Sequence, residues 1–192
     1  MTATARERLL EAAVEAFAER GFTATTTRDI AARAGMSPAA VYVHHDTKES
    51  LLFTVSIDGH RSALDVVRAG DDPAAAPPER LRRMVHDFSA WHASHSRVGR
   101  IVQYEFDALT PEHRAEVARL RRAIEGQVQE VLEAGVSSGD FDVDDVRGTA
   151  RAILSLSIDL LRWFSPDGPQ TPHDVATLHS ALALRMVRSH DD

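Results

Sequence analysis

Apolar residues recur along most of the chain at intervals of three and four positions, the spacing of one face of an α-helix. No segment alternates apolar and polar residues for long enough to predict a β-strand. The pattern therefore predicts an all-α fold of about nine helices. A short N-terminal domain is expected over residues 1–48, and a larger helical bundle over residues 49–192.

Capping residues and helix breakers predict where the helices begin and end. Gly21 and Gly35 are placed to stop the first two helices, and Gly135 to stop a later one. Thr27 and Ser37 are predicted N-caps, because a hydroxyl oxygen accepts hydrogen bonds from the free N–H groups of a first turn. The predicted helices cover residues 4–20, 28–34, 38–44, 48–69, 79–94, 98–109, 111–134, 142–164 and 171–188.

The second and third helices are short and are joined by a turn that contains Gly35, the arrangement of a helix-turn-helix. In such a motif the second helix enters the major groove of DNA with its N-terminal end, while the first lies across the backbone. Ala39 and Ala40 are small enough to let the backbone of the second helix approach the bases. The N-terminal domain is therefore predicted to bind DNA.

Three segments of the first 52 residues carry a family resemblance. They are Thr-Thr-Arg-Asp-Ile-Ala-Ala-Arg-Ala-Gly-Met-Ser at 26–37, Val-Tyr-Val-His at 41–44 and Lys-Glu-Ser-Leu-Leu at 48–52. Together they resemble the N-terminal domain of TetR-family transcriptional regulators over about residues 5–52. Ala39 stands where that family often has Gly, and His45 stands where it usually has Phe, so a ring with nitrogens to satisfy replaces a core aromatic ring.

The resemblance implies a set of residues that face DNA. The set is Thr27, Arg28, Ser37, Pro38, Ala39, Ala40, Tyr42, His44 and Lys48. Phosphate contacts are expected from Thr27, Tyr42, His44 and Lys48, with Lys48 as the anchor, and the others are expected near base edges. Helix capping is the alternative role for Thr27 and Ser37, core packing for Tyr42, and plain exposure to solvent for Arg28.

The charge balance argues against binding to nucleic acid by charge alone. The chain has 22 basic and 29 acidic residues and a formal net charge of −7. Its first fifty residues hold six basic and seven acidic side chains, but no acid lies between Ser37 and His45. We therefore expect weak nonspecific binding to DNA, with a shallow dependence on salt.

The C-terminal part is expected to bind a ligand and to dimerise. Segments 109–114, 139–141 and 162–168 are similar to a TetR branch that senses acyl-CoA thioesters in lipid or steroid breakdown, which implies an apolar chamber with arginines at its mouth. The candidate lining residues are Phe88, Trp91, Tyr104, Phe106, Leu120, Ile124, Leu156 and Trp163. Arg121, Arg122 and Arg162 are candidates for contacts with phosphate. Ordinary core packing or ion pairing is the alternative for each.

A homodimer is expected on geometric grounds, because two reading helices must reach a pseudo-palindromic operator about one DNA turn, roughly 34–36 Å, apart. The last two helices are the predicted interface. The residues proposed for it are Ile153, Leu154, Leu160, Leu161, Val175, Leu178, Leu182 and Val187.

The residues do not support cysteine chemistry, a membrane span, a hydrolase site or a metal site. The chain has no cysteine, and no apolar run approaches the roughly 18 residues of a membrane span, so a cytoplasmic protein is expected. The Gly-Val-Ser-Ser-Gly run at 135–139 follows a predicted helix, whereas a hydrolase elbow requires a preceding strand. Of the ten histidines, His86, His92 and His95 lie on one predicted helix, but the paired Glu-x-x-His motifs of a di-iron bundle do not occur, so no metal is expected and no cofactor is implied.

The sequence thus favours a one-component transcriptional regulator, a repressor that a small, largely apolar effector releases from its operator, with an acyl-CoA thioester as one candidate effector. It is not expected to be an enzyme. The alternative is an all-α ligand carrier or enzyme in which the helix-turn-helix serves only as packing.

Overall fold

The computed structural model describes residues 4–187, and this part of the chain is all-α, as predicted, with nine α-helices, one 3₁₀ turn and no strand. The helices are α1 (Ala5–Ala24), α2 (Thr27–Arg33), α3 (Pro38–His44), α4 (Lys48–Gly70), α5 (Pro77–Ser94), α6 (Ser96–Tyr104), α7 (Pro111–Ser138), α8 (Val146–Trp163) and α9 (Pro172–Met186). The 3₁₀ turn, Phe106–Ala108, lies between α6 and α7.

Contacts within the chain define two compact units. The first contains residues 4–60 and 97–118, and the second contains residues 61–96 and 119–187. Neither unit ends at residue 48, where the sequence predicted the boundary of the DNA-binding domain. That boundary stays a prediction.

The core of the first unit joins the three N-terminal helices to the start of α4. Its members include apolar side chains with at most 2% exposure, among them Leu9, Ala13, Ala16, Phe17, Ile30, Ala31, Val41, Leu51 and Leu52. Gly21 has φ +75°, a backbone conformation that L side chains rarely adopt, and it breaks the regular geometry of α1 where a stop was predicted. The sharp bend lets the chain return toward α2.

In the second unit, α5 packs against both α8 and α9. Leu81, Met84, Leu132 and Ile153 are among the most deeply buried side chains of this core. Five of the eight residues predicted for the dimer interface are buried here in the single chain, at no more than 2% exposure: Ile153, Leu160, Leu161, Val175 and Val187. Their assignment to the interface is therefore wrong, because they fill the core of their own chain.

Two predicted caps are also wrong. The N-cap of α2 is Thr26 rather than Thr27, since Thr26 Oγ1 accepts from the Asp29 N–H at 3.2 Å and the Asp29 carboxylate accepts from the Thr26 N–H at 2.9 Å. Gly135 lies inside α7 instead of ending it. A methyl group there would lie 2.0 Å from a ring carbon of Phe141, so this glycine makes room for a packed aromatic ring.

The remaining predicted bounds differ by a few residues. The third helix matches its prediction, with Ser37 as N-cap. The sixth ends at Tyr104, before the 3₁₀ turn, and the eighth begins at Val146 behind its N-cap Asp145. The last helix extends to Met186, and its predicted end near Arg188 lies outside the described residues.

Candidate nucleic-acid interface and effector pocket

Helix α3 presents most of its surface to solvent. Val41 faces inward with 0% exposure, whereas Tyr42 is 54% and Val43 is 78% exposed. Ser37, Pro38, Ala39 and His44 are also exposed, and Ala40 is half-buried. A seven-residue helix with one buried anchor and no acidic side chain is therefore available to a partner along nearly its whole length.

Hydroxyl groups cap α3 and connect it to α2. Ser37 Oγ accepts from the Ala40 N–H at 3.3 Å, which leaves the hydroxyl hydrogen free to donate outward. The Thr27 and Tyr42 hydroxyls lie 3.2 Å apart and connect α2 to α3. Ser37 thus caps its helix as expected, and Thr27 joins two helices while its side chain stays only half-buried.

Arginines in the first unit divide into paired and unpaired groups. Arg33 Nη1 lies 3.1 Å from Glu15 Oε2 and its Nη2 also pairs with Glu19, while Arg20 lies 3.5 Å from Asp29. Arg28 is exposed and forms no ion pair within residues 4–187. Arg20 and Arg33 are consequently held inside the unit, whereas Arg28 is exposed to solvent.

Lys48 is held by backbone oxygen atoms at the end of α1. Its Nζ donates to the Phe22 carbonyl at 2.6 Å and the Thr25 carbonyl at 2.7 Å, and it lies 4.2 Å from the centroid of the Phe22 ring. The Phe22 N–H donates to Glu105 Oε1 at 3.0 Å. Lys48 therefore fastens α4 to α1, a role the sequence did not indicate, and its contact with phosphate stays a prediction.

His45, directly after α3, is a buried imidazole with 7% exposure. Its Nε2 has no hydrogen-bond partner among residues 4–187. Burial, reinforced by the positive charges of Arg6 and His44, lowers the pKa of His45 below its ordinary value. The ring therefore occupies the position of a core aromatic side chain in its neutral form.

The second unit contains a small apolar cavity of about 10 Å³, enough for about one water molecule. Seven apolar side chains and Ser157 line it, and Phe88 is the only predicted lining residue among them. Ligand pockets usually measure about 300–1,000 Å³, so this site is closed in the conformation described.

The other predicted lining residues do not line this cavity and lie in different parts of the structure. Trp91, Leu120 and Ile124 belong to the apolar core around this cavity. Leu156 is half-buried on α8, and Trp163 is 48% exposed near its end. Tyr104, which is 58% exposed, and Phe106 belong to the first unit.

The predicted phosphate contacts differ in burial. Arg121 is half-buried, and the loss of solvent lowers its pKa from the ordinary arginine value. Arg122 is exposed, and the exposed Arg162 lies 3.6 Å from Asp159. A role for any of them toward a ligand stays a prediction.

Two further features were missed by sequence reasoning. Val43 projects into solvent from α3, although its apolar character suggests a core position. Ser89, Ser157 and His179 form a buried polar cluster beside the cavity, with exposures of 0%, 1% and 3%. Their positions on three separate helices give no recognisable spacing in the sequence.

None of the helices described here is both long enough and apolar enough to cross a lipid bilayer. Within residues 4–187, no three histidine, aspartate or glutamate side chains gather into a group suited to hold a metal ion.

Comparison with known proteins places both parts of the chain in one family. The family described as bacterial regulatory proteins, tetR family, matches residues 9–55, and the one described as tetracyclin repressor-like, C-terminal domain, matches residues 74–187. The chain therefore belongs to the TetR family of transcriptional regulators, as the resemblance of its first 52 residues indicated, and not to an enzyme family.

Three relatives illustrate this membership. The HTH-type transcriptional repressor KstR2 of Rhodococcus jostii (strain RHA1) is 34% identical over 187 residues, covering 93% of this chain and 89% of that protein. A TetR-family regulatory protein from Rhodococcus RHA1 matches with a TM-score of 0.94 and 44% identity over 99% of this chain and 100% of its own. AibR, solved with isovaleryl coenzyme A and operator DNA, has a TM-score of 0.83 and 25% identity over 93% and 97%.

Proposed function

We propose that the protein is a homodimeric, one-component repressor that acts in the cytoplasm, where it binds a pseudo-palindromic operator through α2 and α3. A small, largely apolar effector in the second unit releases it from DNA. The repressor KstR2 and the operator-bound AibR are relatives that support this assignment.

The exposure pattern of α3 carries the proposal. One buried residue, Val41, fixes the helix to the unit, while the faces that bear Ser37, Ala39 and Val43 stay open to solvent. Small side chains allow close approach of the helix backbone, and the absence of acids avoids repulsion by phosphate. The other proposed contacts are Thr27, Arg28, Pro38, Ala40, Tyr42, His44 and Lys48.

The effector would have to open the second unit in order to bind. A cavity of about 10 Å³ admits no drug-sized or lipid-sized molecule, so ligand and closed core compete for the same space. An acyl-CoA thioester is the candidate that AibR favours, since that relative was solved with isovaleryl coenzyme A. Within the second unit, the proposed lining consists of Phe88, Trp91, Leu120, Ile124, Leu156 and Trp163.

Helix α4 provides a continuous path from the cavity to the DNA-binding residues. Val67, near the C-terminal end of this 23-residue helix, lines the cavity, and Lys48, its first residue, is bonded to the end of α1. We expect this helix to carry the effect of ligand binding to the first unit. Changing the balance between DNA-binding and released states from 1:99 to 99:1 requires about 5.5 kcal/mol of differential affinity.

Fluorescence anisotropy on the DNA that flanks the protein's own gene tests the function. Arg28→Ala and Tyr42→Ala should both weaken binding, and Arg28→Ala should also reduce the preference for that DNA over random sequence. Arg82→Ala is the matched control, because Arg82 is an exposed arginine on α5 that pairs with Glu79. Equal affinity of all three variants and the unaltered protein would refute the proposed interface.

A further inference from the structure

The exposed side of α3 carries an apolar ridge made of Ala39 and Val43. Successive residues of an α-helix are turned by about 100°, so Ala39 and Val43 lie about 160° and about 200° around the axis from Val41. Val41 is the buried anchor of this helix, with 0% exposure. The ridge therefore lies opposite the buried side, and Val43, at 78%, is the most exposed large apolar side chain among residues 4–187.

The residue types of α3 limit what this ridge can recognise. The helix reads Pro-Ala-Ala-Val-Tyr-Val-His and contains no arginine, lysine, asparagine, glutamine or acid. Those are the side chains that read guanine, adenine and cytosine through hydrogen bonds to the base edges. The two side chains of the ridge have no group that donates or accepts a hydrogen bond, so they can contact a base only through carbon.

Hydrogen-bonding groups lie on the two sides of the ridge. Tyr42, which is 54% exposed, is on one side, and its hydroxyl lies 3.2 Å from that of Thr27. His44, also exposed, is on the other side of the helix. In a major groove the base edges form the floor and phosphates border it on both sides. The distribution of polar and apolar groups on α3 is therefore complementary to a groove that the ridge enters.

We propose that Val43 determines specificity by packing against the C5-methyl group of a thymine in each half of the operator. This methyl is the apolar group that distinguishes thymine from the other bases in the major groove. Ala39, the other member of the ridge, is small enough to let Val43 reach the base edges. The inference rests on the proposed function, because it requires α3 to enter the major groove.

Fluorescence anisotropy on two forms of the DNA that flanks the protein's own gene tests the inference with the full-length protein. In the second form every thymine is replaced by uracil, which keeps the base pairing and the O4 acceptor and lacks only the C5-methyl group. The unaltered protein should bind the uracil form about four- to fifteen-fold more weakly. One buried methyl group contributes a factor of about four, and a pseudo-palindromic operator provides two such contacts.

Val43→Ala should bring the affinities for the two DNA forms close to each other, because the shortened side chain no longer reaches the methyl group. The variant should fold, since Val43 is exposed and alanine has the higher helix propensity. Val136→Ala is the matched control, because Val136 is an exposed valine on α7, and it should keep the full preference for thymine. Any change that uracil causes in the shape of the duplex would weaken all three proteins alike.

The outcomes separate this inference from the proposed function. Equal binding of the two DNA forms by the unaltered protein would overturn the role of Val43 and leave the repressor standing. A preference for thymine that Val43→Ala reduces by less than about two-fold, or that Val136→Ala removes as well, would do the same. No binding of either form by the unaltered protein would refute both.

Discussion

The imidazole of His45 lowers the stability of the folded chain in a way that a phenyl ring at the same position would not. Its Nε2 is buried without a partner in the described part of the chain, and an unsatisfied buried polar group typically costs about 1–3 kcal/mol. Burial first, then Arg6 and His44, lower the pKa of this ring, and Asp46 opposes them. The first unit is therefore folded around a neutral ring that protonation would disrupt.

His45→Phe should raise the free energy of unfolding by about 1–2 kcal/mol, because it removes the unsatisfied nitrogen and keeps an aromatic ring of similar size. It should also reduce the sensitivity to acid. A histidine titrates near 6.5 in the unfolded chain and lower in the folded one, so the unfolded state binds more protons and stability falls as the pH drops below about 6.5.

Urea unfolding of both proteins at pH 7.5, 6.5 and 5.5 checks this prediction. The loss of stability between pH 6.5 and 5.5 should be smaller in His45→Phe, although not zero, because burial lowers the pKa of His179 as well. An identical loss in the two proteins would show that His45 does not titrate in this range.

Among the elements, α2 and α3 show how far local signals predict structure. The limits of α3 follow from Ser37 as a cap and Pro38 at the first helical position, both of which act within one turn. For α2, two adjacent threonines are candidates for the N-cap. Thr26 is the cap because Asp29 lies three residues after it and its carboxylate accepts a hydrogen bond from Thr26. The local sequence therefore contains the signal that identifies Thr26 as the cap.

Replacing each threonine by alanine separates stability from DNA binding. Thr26→Ala removes the cap of α2 and should lower the free energy of unfolding by about 1 kcal/mol. Thr27→Ala removes only the bond to Tyr42 on an exposed surface and should change stability much less, while weakening DNA binding. Thermal unfolding and anisotropy on the same preparations measure both effects, and an equal loss of stability in the two variants would contradict the assignment of the cap.

Longer-range features of the elements were not accessible to sequence reasoning. Gly135 has the local character of a helix stop, but the Phe141 ring packed against it lets α7 continue to Ser138. The cluster of Ser89, Ser157 and His179 requires three helices to be brought together. Periodicity identified the apolar faces correctly, yet Ile153 and Val175 were assigned to a partner, because periodicity does not distinguish a chain's own core from an interface.

At the scale of the whole molecule, the outer face of α9 is the surface best suited to a second copy. Leu178, Leu182 and Met186 follow one another at four-residue intervals along one side, and the first and last are 47% and 44% exposed. An apolar stripe of this kind packs well against its own copy about a twofold axis. For the homodimer proposed above, we therefore place the contact on this face rather than on the buried residues expected from the sequence.

Leu178→Glu should convert the protein from a dimer to a monomer at micromolar concentration and weaken operator binding, because the carboxylate would lie in the centre of the contact. Val136→Glu on α7, at a side chain of 40% exposure, is the matched control and should remain dimeric. Sedimentation velocity distinguishes the two states. A dimeric Leu178→Glu variant would exclude this face as the interface.

Hydroxyl-radical footprinting on the DNA that flanks the protein's own gene is the most direct test of the claim that α3 reads DNA. The unaltered protein should protect two patches about one helical turn, roughly 34–36 Å, apart on one face of the duplex. Ala39→Glu, which places an acid on the exposed face of α3, should remove both patches without lowering thermal stability. Absence of protection by the unaltered protein, or the same footprint with Ala39→Glu, would contradict the claim.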